Sequence, residues 1–224
     1  LIISAILTGL AQQPLKLGWL AWFSLVPFIF VLNRINGLRH FIIAGTIWGA
    51  TYYITVIFWM ATNIGTTPLL GFISMIGAVL FLTINIIGIT SIIALLKGRY
   101  PKRWFWIFPV LWTSMEYLRS TGSLDFPWTS LANTQIDFLT LVQNAEITGI
   151  FGVSFWIVLM NILIFNYLVR PYPEHFLAAI SFFILPWITG IWLTPQPKTY
   201  EGSSLDVAVI QPNIHLSQKW KSGG

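Results

Sequence analysis

Side chains able to do chemistry are few in this chain. Glu116 is the only acid inside a long apolar run, and Arg119 follows three residues later. An ionisable residue at membrane depth points to function by default. At this spacing, however, the two side chains can pair across one helical turn, and the ion pair is the simpler reading. His40, His175 and His215 are scattered at spacings that suggest no metal site. Cysteine is absent, which excludes disulfides, thiolate metal ligands and a cysteine nucleophile within these 224 residues. No glycine-rich phosphate loop and no Ser-His-Asp set stands out. Asn85, Asn161 and Asn166 fall inside apolar runs, where an amide bonds between helices or lines a polar groove.

The elements that hold these residues belong in a bilayer. The chain is 56% hydrophobic and 8% charged, with a mean hydropathy of +0.75. Soluble domains carry about 25% charged residues, so this is an integral membrane protein. Its 12 Trp and 17 Phe suit the membrane interface. A hydrocarbon core needs about 20 apolar residues as helix. Phe41–Ala61, Leu69–Leu96, Ile147–Val169 and Phe176–Thr194 meet that length without a charge. Leu1–Ala11, Leu17–Leu32 (with Pro27) and Trp104–Leu118 (with Pro109 and Glu116) are shorter. Together they predict an all-α polytopic bundle of about seven spans over residues 1–194. Gly45 and Gly49 form a small-xxx-small pair that lets two helices approach closely.

Charge sets the expected orientation. Arg34, Arg39, Lys97, Arg99, Lys102, Arg103 and Arg170 fall on one set of alternate loops, and only Lys16 and Arg119 on the other. Cytoplasmic loops collect Lys and Arg, so the net charge of +5 reports topology rather than a nucleic-acid surface. On this count everything after residue 194 lies on the non-cytoplasmic side. Residues 195–204, with Pro195, Pro197 and Gly202-Ser203-Ser204, read as a linker. Leu205–Ile210 is an apolar run rich in Val and Ile that ends at Pro212-Asn213. It reads either as a disordered tail or as a first strand buried on both faces, in an α/β domain cut short at residue 224. The first residue, Leu1, lies inside an apolar run, so the chain reads as clipped at its front as well.

The segment Thr121–Gln135, TGSLDFPWTSLANTQ, exceeds the usual connection length, and long ordered loops are often functional. Its rigid aromatic wedge Phe126-Pro127-Trp128 is either an interfacial anchor or a contact for a lipid substrate.

The order of these features resembles the apolipoprotein N-acyltransferase family of the bacterial inner membrane. Three pieces carry the resemblance: WLAWFSLVP at Trp19–Pro27; Phe126-Pro127-Trp128 with Gln135 and then GIFGVS at Gly149–Ser154; and VAVIQPN at Val207–Asn213 with Lys219-Trp220. It spans nearly the whole chain. It implies a helical membrane domain followed by a nitrilase-like periplasmic domain, of which residues 205–224 would be the start. The family's Glu-Lys-Cys triad takes an acyl chain from a phospholipid as a Cys thioester. It then passes that chain to the α-amino group of a lipoprotein's diacylglyceryl-cysteine. The resemblance places all three triad positions, and a final span, beyond Trp220, so these residues alone are expected to be inactive. It implies substrate contacts at Trp128, Trp220, Phe126 and Gln135. The implied partners are a phospholipid donor, a diacylated lipoprotein acceptor and membrane lipids, with no cofactor, metal or nucleic acid, and the chain working as a monomer. A transporter or channel fragment and a non-catalytic membrane scaffold are the competing readings. Against the former, no internal repeat is visible and Glu116 sits near the end of its run.

Overall fold

Apolar runs become helices because a backbone in hydrocarbon must satisfy its own N–H and C=O groups. The computed structural model describes residues 1–63, 66–122, 125–194 and 206–214. Its α-helices are α1 (Ile2–Leu10), α2 (Val26–Arg34), α3 (Leu38–Ile57), α4 (Pro68–Arg99), α5 (Phe108–Arg119), α6 (Leu139–Val142), α7 (Ala145–Val169) and α8 (Pro173–Leu193). Short 3₁₀ turns link them. Gly18–Trp22 precedes α2, Phe58–Thr62 extends α3, and Trp104–Ile107 leads into α5. Pro127–Thr129 and Leu131–Gln135 build most of the connection from α5 to α6.

Among the described residues, four helices are long and apolar enough to cross a membrane: Leu38–Thr62, Pro68–Arg99, Ala145–Val169 and Pro173–Leu193. This corrects the expectation of about seven spans. The first, second and fifth apolar runs form helices of nine, nine and twelve residues, well short of the ~20 a hydrocarbon core requires. Hydropathy weighs side chains and is blind to the backbone. The second run opens as a 3₁₀ turn, and α2 starts only at Val26, beside Pro27. The fifth opens as another 3₁₀ turn, and its α-helix begins one residue before Pro109.

Irregular backbone at membrane depth survives only where protein covers it. Asn161 of α7 supplies that cover from full burial. Its Oδ1 accepts from the Leu25 N–H at 2.9 Å. Its Nδ2 donates to the Ala21 carbonyl at 2.8 Å and to the Ile157 carbonyl of its own helix at 2.9 Å. At the other end of α2, Lys97 Nζ donates to the carbonyls of Leu32, Asn33 and Ile35 at 3.1, 2.7 and 2.7 Å. A cation there satisfies the orphan carbonyls of a helix C-terminus and complements its dipole. The contact also joins the ends of α2 and α4. The basic segments around Arg34, Arg39, Lys102 and Arg103 therefore share one end of the bundle, the basic end.

Packing of α3 on α4 uses the two glycines flagged by their spacing. A Cβ on Gly45 would overlap the Thr90 hydroxyl, and one on Gly49 would lie 3.1 Å from Thr83 Cγ2. Helix α8 is held differently, since only 11% of its spanning window is buried. Pro186 has no N–H to offer the Phe182 carbonyl one turn back. Trp156 of α7 donates to that carbonyl instead, at 2.6 Å. Asn144 Nδ2 donates to the Pro186 carbonyl at 2.7 Å, and Thr189 donates to Asn144 Oδ1 at 2.5 Å. Trp22 packs into the same corner, with ring centroids 5.0 Å from Phe183, 5.3 Å from Phe138 and 6.2 Å from Trp187.

No strand forms among the described residues, which corrects the expected first strand of a nitrilase-like domain at Leu205–Ile210. Asp206–Asn213 takes no regular structure, and Val207, Val209 and Ile210 are 72%, 91% and 86% exposed. An apolar run rich in Val and Ile suits a strand, but a strand exists only through a neighbour's backbone groups. None is paired with this segment. The expected linker at 195–204, together with Leu205, His215 and Trp220, lies outside the described residues.

Candidate functional site

The loop after α5 is seated at the end of the bundle opposite the basic end, and Glu116 is what seats it. The carboxylate is 2% exposed. Oε1 accepts from Trp112 Nε1 and from the Leu131 backbone N–H, each at 2.9 Å, and Oε2 accepts from Ser130 Oγ at 2.5 Å. Charge-assisted bonds of this kind are short and roughly twice as strong as neutral ones. The expected Glu116–Arg119 ion pair is replaced by separate partners. Arg119 Nη1 donates to the Tyr53 hydroxyl at 2.8 Å, and the Arg119 carbonyl accepts from Phe126 N at 2.8 Å. Helical spacing brings the two residues to one face, but the loop reaches Glu116 first.

Helices α7 and α3 complete the seat. Gly149, at φ 66°, kinks the start of α7 in a conformation that favours glycine. One turn on, Ser154 Oγ accepts from the Ala132 N–H at 3.0 Å and lies 3.2 Å from Ser130 Oγ. From α3, Tyr52 donates to the Thr129 carbonyl at 3.1 Å and accepts from Gln12 Nε2 at 2.9 Å.

The sequence-predicted residues take three different positions. Trp128 is 62% exposed, with its ring 5.1 Å from Phe126 and 6.0 Å from Trp59. Phe126 is half-buried. The wedge therefore presents an aromatic surface. Gln135 is fully buried. Its Oε1 accepts from Trp22 Nε1 at 2.7 Å, and its Nε2 donates to the Gly18 carbonyl at 3.0 Å and to Thr134 Oγ1 at 2.5 Å. A Cβ on Gly18 would overlap the Thr134 carbonyl, so the 3₁₀ turn and the loop meet backbone to backbone. Gln135 thus ties the loop to the turn before α2. Trp220 lies outside the described residues.

Beside the wedge run two adjoining hollows that share Gln12, Gln13, Val56 and Trp59. One, of about 310 Å³, reaches the wedge, and the other, of about 580 Å³, runs between the ends of α1 and α3. Sequence reasoning missed Gln12, Tyr52, Trp59 and Ser154. Ser154 carried a signal, since it closes the GIFGVS stretch. The others are separated from the loop by about 60 to more than 100 positions in sequence, and no local pattern marks them. Among the described residues no group of three or more His, Asp or Glu side chains is placed to hold a metal ion.

Fold and site define a polytopic helical membrane protein with an aromatic loop fixed over one end of its bundle. Residues 4–163, which build all of this except α8 and the end of α7, match the family model described as the apolipoprotein N-acyltransferase N-terminal domain. The chain belongs to the apolipoprotein N-acyltransferase family. It is 29% identical over 231 residues to the apolipoprotein N-acyltransferase of Geobacter metallireducens, covering 98% of this chain and 44% of that protein. It is 28% identical over 234 residues to that of Thermotoga maritima, covering 98% and 44%. With that of Chlorobaculum tepidum the identity is 23% over 241 residues, covering 100% and 42%. The chain thus spans less than half the length of these curated relatives.

Proposed function

We propose that this chain is the membrane part of a phospholipid:apolipoprotein N-acyltransferase of the bacterial inner membrane. In this reading residues 1–194 anchor the enzyme and receive its two lipid substrates. Residues 195–204 link them to a segment on the periplasmic side. The acyl chain moves from a phospholipid to the amino group of a diacylated lipoprotein through a Cys thioester. These 224 residues contain no cysteine, so the thioester forms on a residue outside them. The contribution of this part is placement: a reaction between two membrane lipids gains most from holding both reactants in one orientation. The observation that carries the reading is the family match over residues 4–163. The loop geometry supports it, because an exposed aromatic wedge on a rigid seat suits contact with acyl chains. Phe126 and Trp128 make that contact in our reading, Gln135 holds the loop in register from below, and Trp220 contributes from the following segment.

The test is Trp128→Ala in the full-length enzyme, with acyl transfer to a diacylated lipopeptide measured beside expression and thermal stability. A side chain this exposed contributes within about 0.5 kcal/mol to folding, so stability is expected to hold while turnover of the phospholipid donor falls. Unchanged turnover with lost expression assigns Trp128 to anchoring and removes the loop from the substrate path. Residues 1–224 alone are expected to transfer no acyl chain in the same assay.

A further inference from the structure

The first acid in the sequence is Glu116, so residues 1–115 carry no Asp or Glu at all. Within them Arg34, Arg39, Arg99, Lys102 and Arg103 stand at the basic end, all exposed. Lys97 belongs to the same end, but its ammonium is taken by the three carbonyls that close α2. Orientation accounts for the presence of these cations, since cytoplasmic loops collect Lys and Arg. It does not account for the missing acids, because Asp and Glu contribute little to orientation. Helix dipoles account for Arg34 and Arg99, each in the last turn of its helix. They do not account for Arg39, in the first turn of α3, where the dipole opposes a cation. Nor do they account for Lys102 and Arg103, which lie beyond the end of α4.

The fold gathers these charges. Lys97 holds the end of α4 against the end of α2, beside Arg34. Phe30, one turn before Arg34, and Phe105, two residues after Arg103, both pack on Phe165 of α7, with ring centroids 4.9 and 6.0 Å away. Tyr100 and Trp106 flank Lys102 and Arg103 and are 54% and 45% exposed. Aromatic rings so placed sit at the headgroup level of a bilayer. Glu174, in the first turn of α8, lies at this end too, four residues after Arg170. Arg170 therefore has a countercharge close in sequence, which the other five cations lack.

We propose that the basic end is a docking surface for anionic glycerophospholipids of the adjoining leaflet, their headgroup phosphates held by Arg34, Arg39, Arg99, Lys102 and Arg103 between the rings of Tyr100 and Trp106. A guanidinium pairs with phosphate through two parallel N–H···O bonds, and a lysine adds a point charge. A zwitterionic lipid brings its own ammonium, which a cluster of cations without local acids repels, so the surface selects net negative charge. It lies at the end of the bundle opposite the aromatic loop. The lipid bound here is therefore distinct from an acyl donor at the loop, and the inference requires no turnover.

The experiment strips the full-length enzyme of lipid in detergent. It is then titrated with phosphatidylglycerol or phosphatidylethanolamine of the same acyl chains, and bound lipid is counted by native mass spectrometry. Phosphatidylglycerol is expected to bind about tenfold more tightly. The preference is expected to vanish in about 1 M ammonium acetate, where the Debye length is about 3 Å. The double variant Lys102→Gln, Arg103→Gln is expected to weaken phosphatidylglycerol binding about tenfold or more and to leave phosphatidylethanolamine unchanged. Arg39, Lys97 and Arg170 remain in it to set orientation. Lys16→Gln, at the loop end, is expected to change neither lipid. Phosphatidylglycerol with a photoreactive headgroup is expected to crosslink the wild type within 34–39 and 99–106. Equal binding of the two lipids, an unchanged preference in the double variant, or crosslinks confined to other segments overturns the proposal. The lipid comparison and the crosslinking use the wild type, so they decide the matter even if the double variant fails to fold. Neither outcome touches the acyl-transfer assay of Trp128→Ala, so the two readings fail separately.

Discussion

At the scale of single residues, Glu116 decides whether the loop has a fixed position. Three donors converge on it from α5 and the loop, all buried. Glu116→Ala leaves the Trp112 and Leu131 N–H groups without an acceptor, leaves Ser130 only Ser154 Oγ, and leaves Arg119, 6% exposed, without a nearby opposite charge. Removing one partner from such a buried set costs about 3–5 kcal/mol. Glu116→Gln keeps one acceptor oxygen but also loses the charge, and is expected to cost less than Ala, about 1.5–3 kcal/mol. Thermal unfolding in detergent gives the stability, and proteolysis between 121 and 138 reports the loop. Equal stability for Ala and wild type would mean that the carboxylate does not hold the seat. The sequence singled out Glu116 because an acid in an apolar run is costly, but it misjudged the partner. Arg119 is three positions away and Ser130 is fourteen, and only the folded loop makes the more distant residue the nearer one.

At the scale of elements, the bundle answers three backbone defects with a donor or acceptor from another helix. Trp156 replaces the N–H that Pro186 lacks, Asn161 covers the turn before α2, and Lys97 caps its end. The proline case has a clean test. Trp156→Phe is expected to destabilise by about 1–3 kcal/mol, since the Phe182 carbonyl loses its donor. Pro186→Ala supplies an N–H within α8, so the same Trp156→Phe change should cost much less in that background. A coupling of about 1 kcal/mol or more in the double-mutant cycle is expected, and strict additivity would show that the indole acts through packing alone. Gly45→Val should separate α3 from α4 at a cost of about 1–3 kcal/mol, read from the same unfolding curves. The sequence showed the glycine spacing and Pro186 directly. It could not show which residue repairs the proline, because an indole N–H has no preferred sequence distance from the carbonyl it reaches.

At the scale of the whole molecule, the charge pattern and the fold agree on two unlike ends. Lys97 ties the basic segments together at one end, and the seated loop closes the other. Residues 1–224 contain no cysteine, which makes the orientation easy to measure, because a thiol introduced among them is the only one that peptides from this part can carry. Asp125→Cys, in the exposed part of the loop, is expected to react with an impermeant maleimide added to intact cells. Lys102→Cys is expected to react only after the inner membrane is opened. The reverse pattern would invert the proposed topology and place the aromatic wedge on the cytoplasmic side.

The sequence by itself determined the membrane class, the four long helices, the asymmetry of charge and the family, because these depend on composition, run length and local order. It also located the loop and its aromatic wedge, since Phe126-Pro127-Trp128 is a contiguous signal. Tertiary structure alone decided three things. It reduced three apolar runs to short helices, because 3₁₀ turns and prolines act on the backbone while hydropathy counts side chains. It left Val207–Ile210 without a strand, because pairing is a property of neighbours. It brought Gln12, Val56, Trp59 and Thr129 around one groove, because residues as far apart in sequence as Gln12 and Thr129 meet only when helices pack.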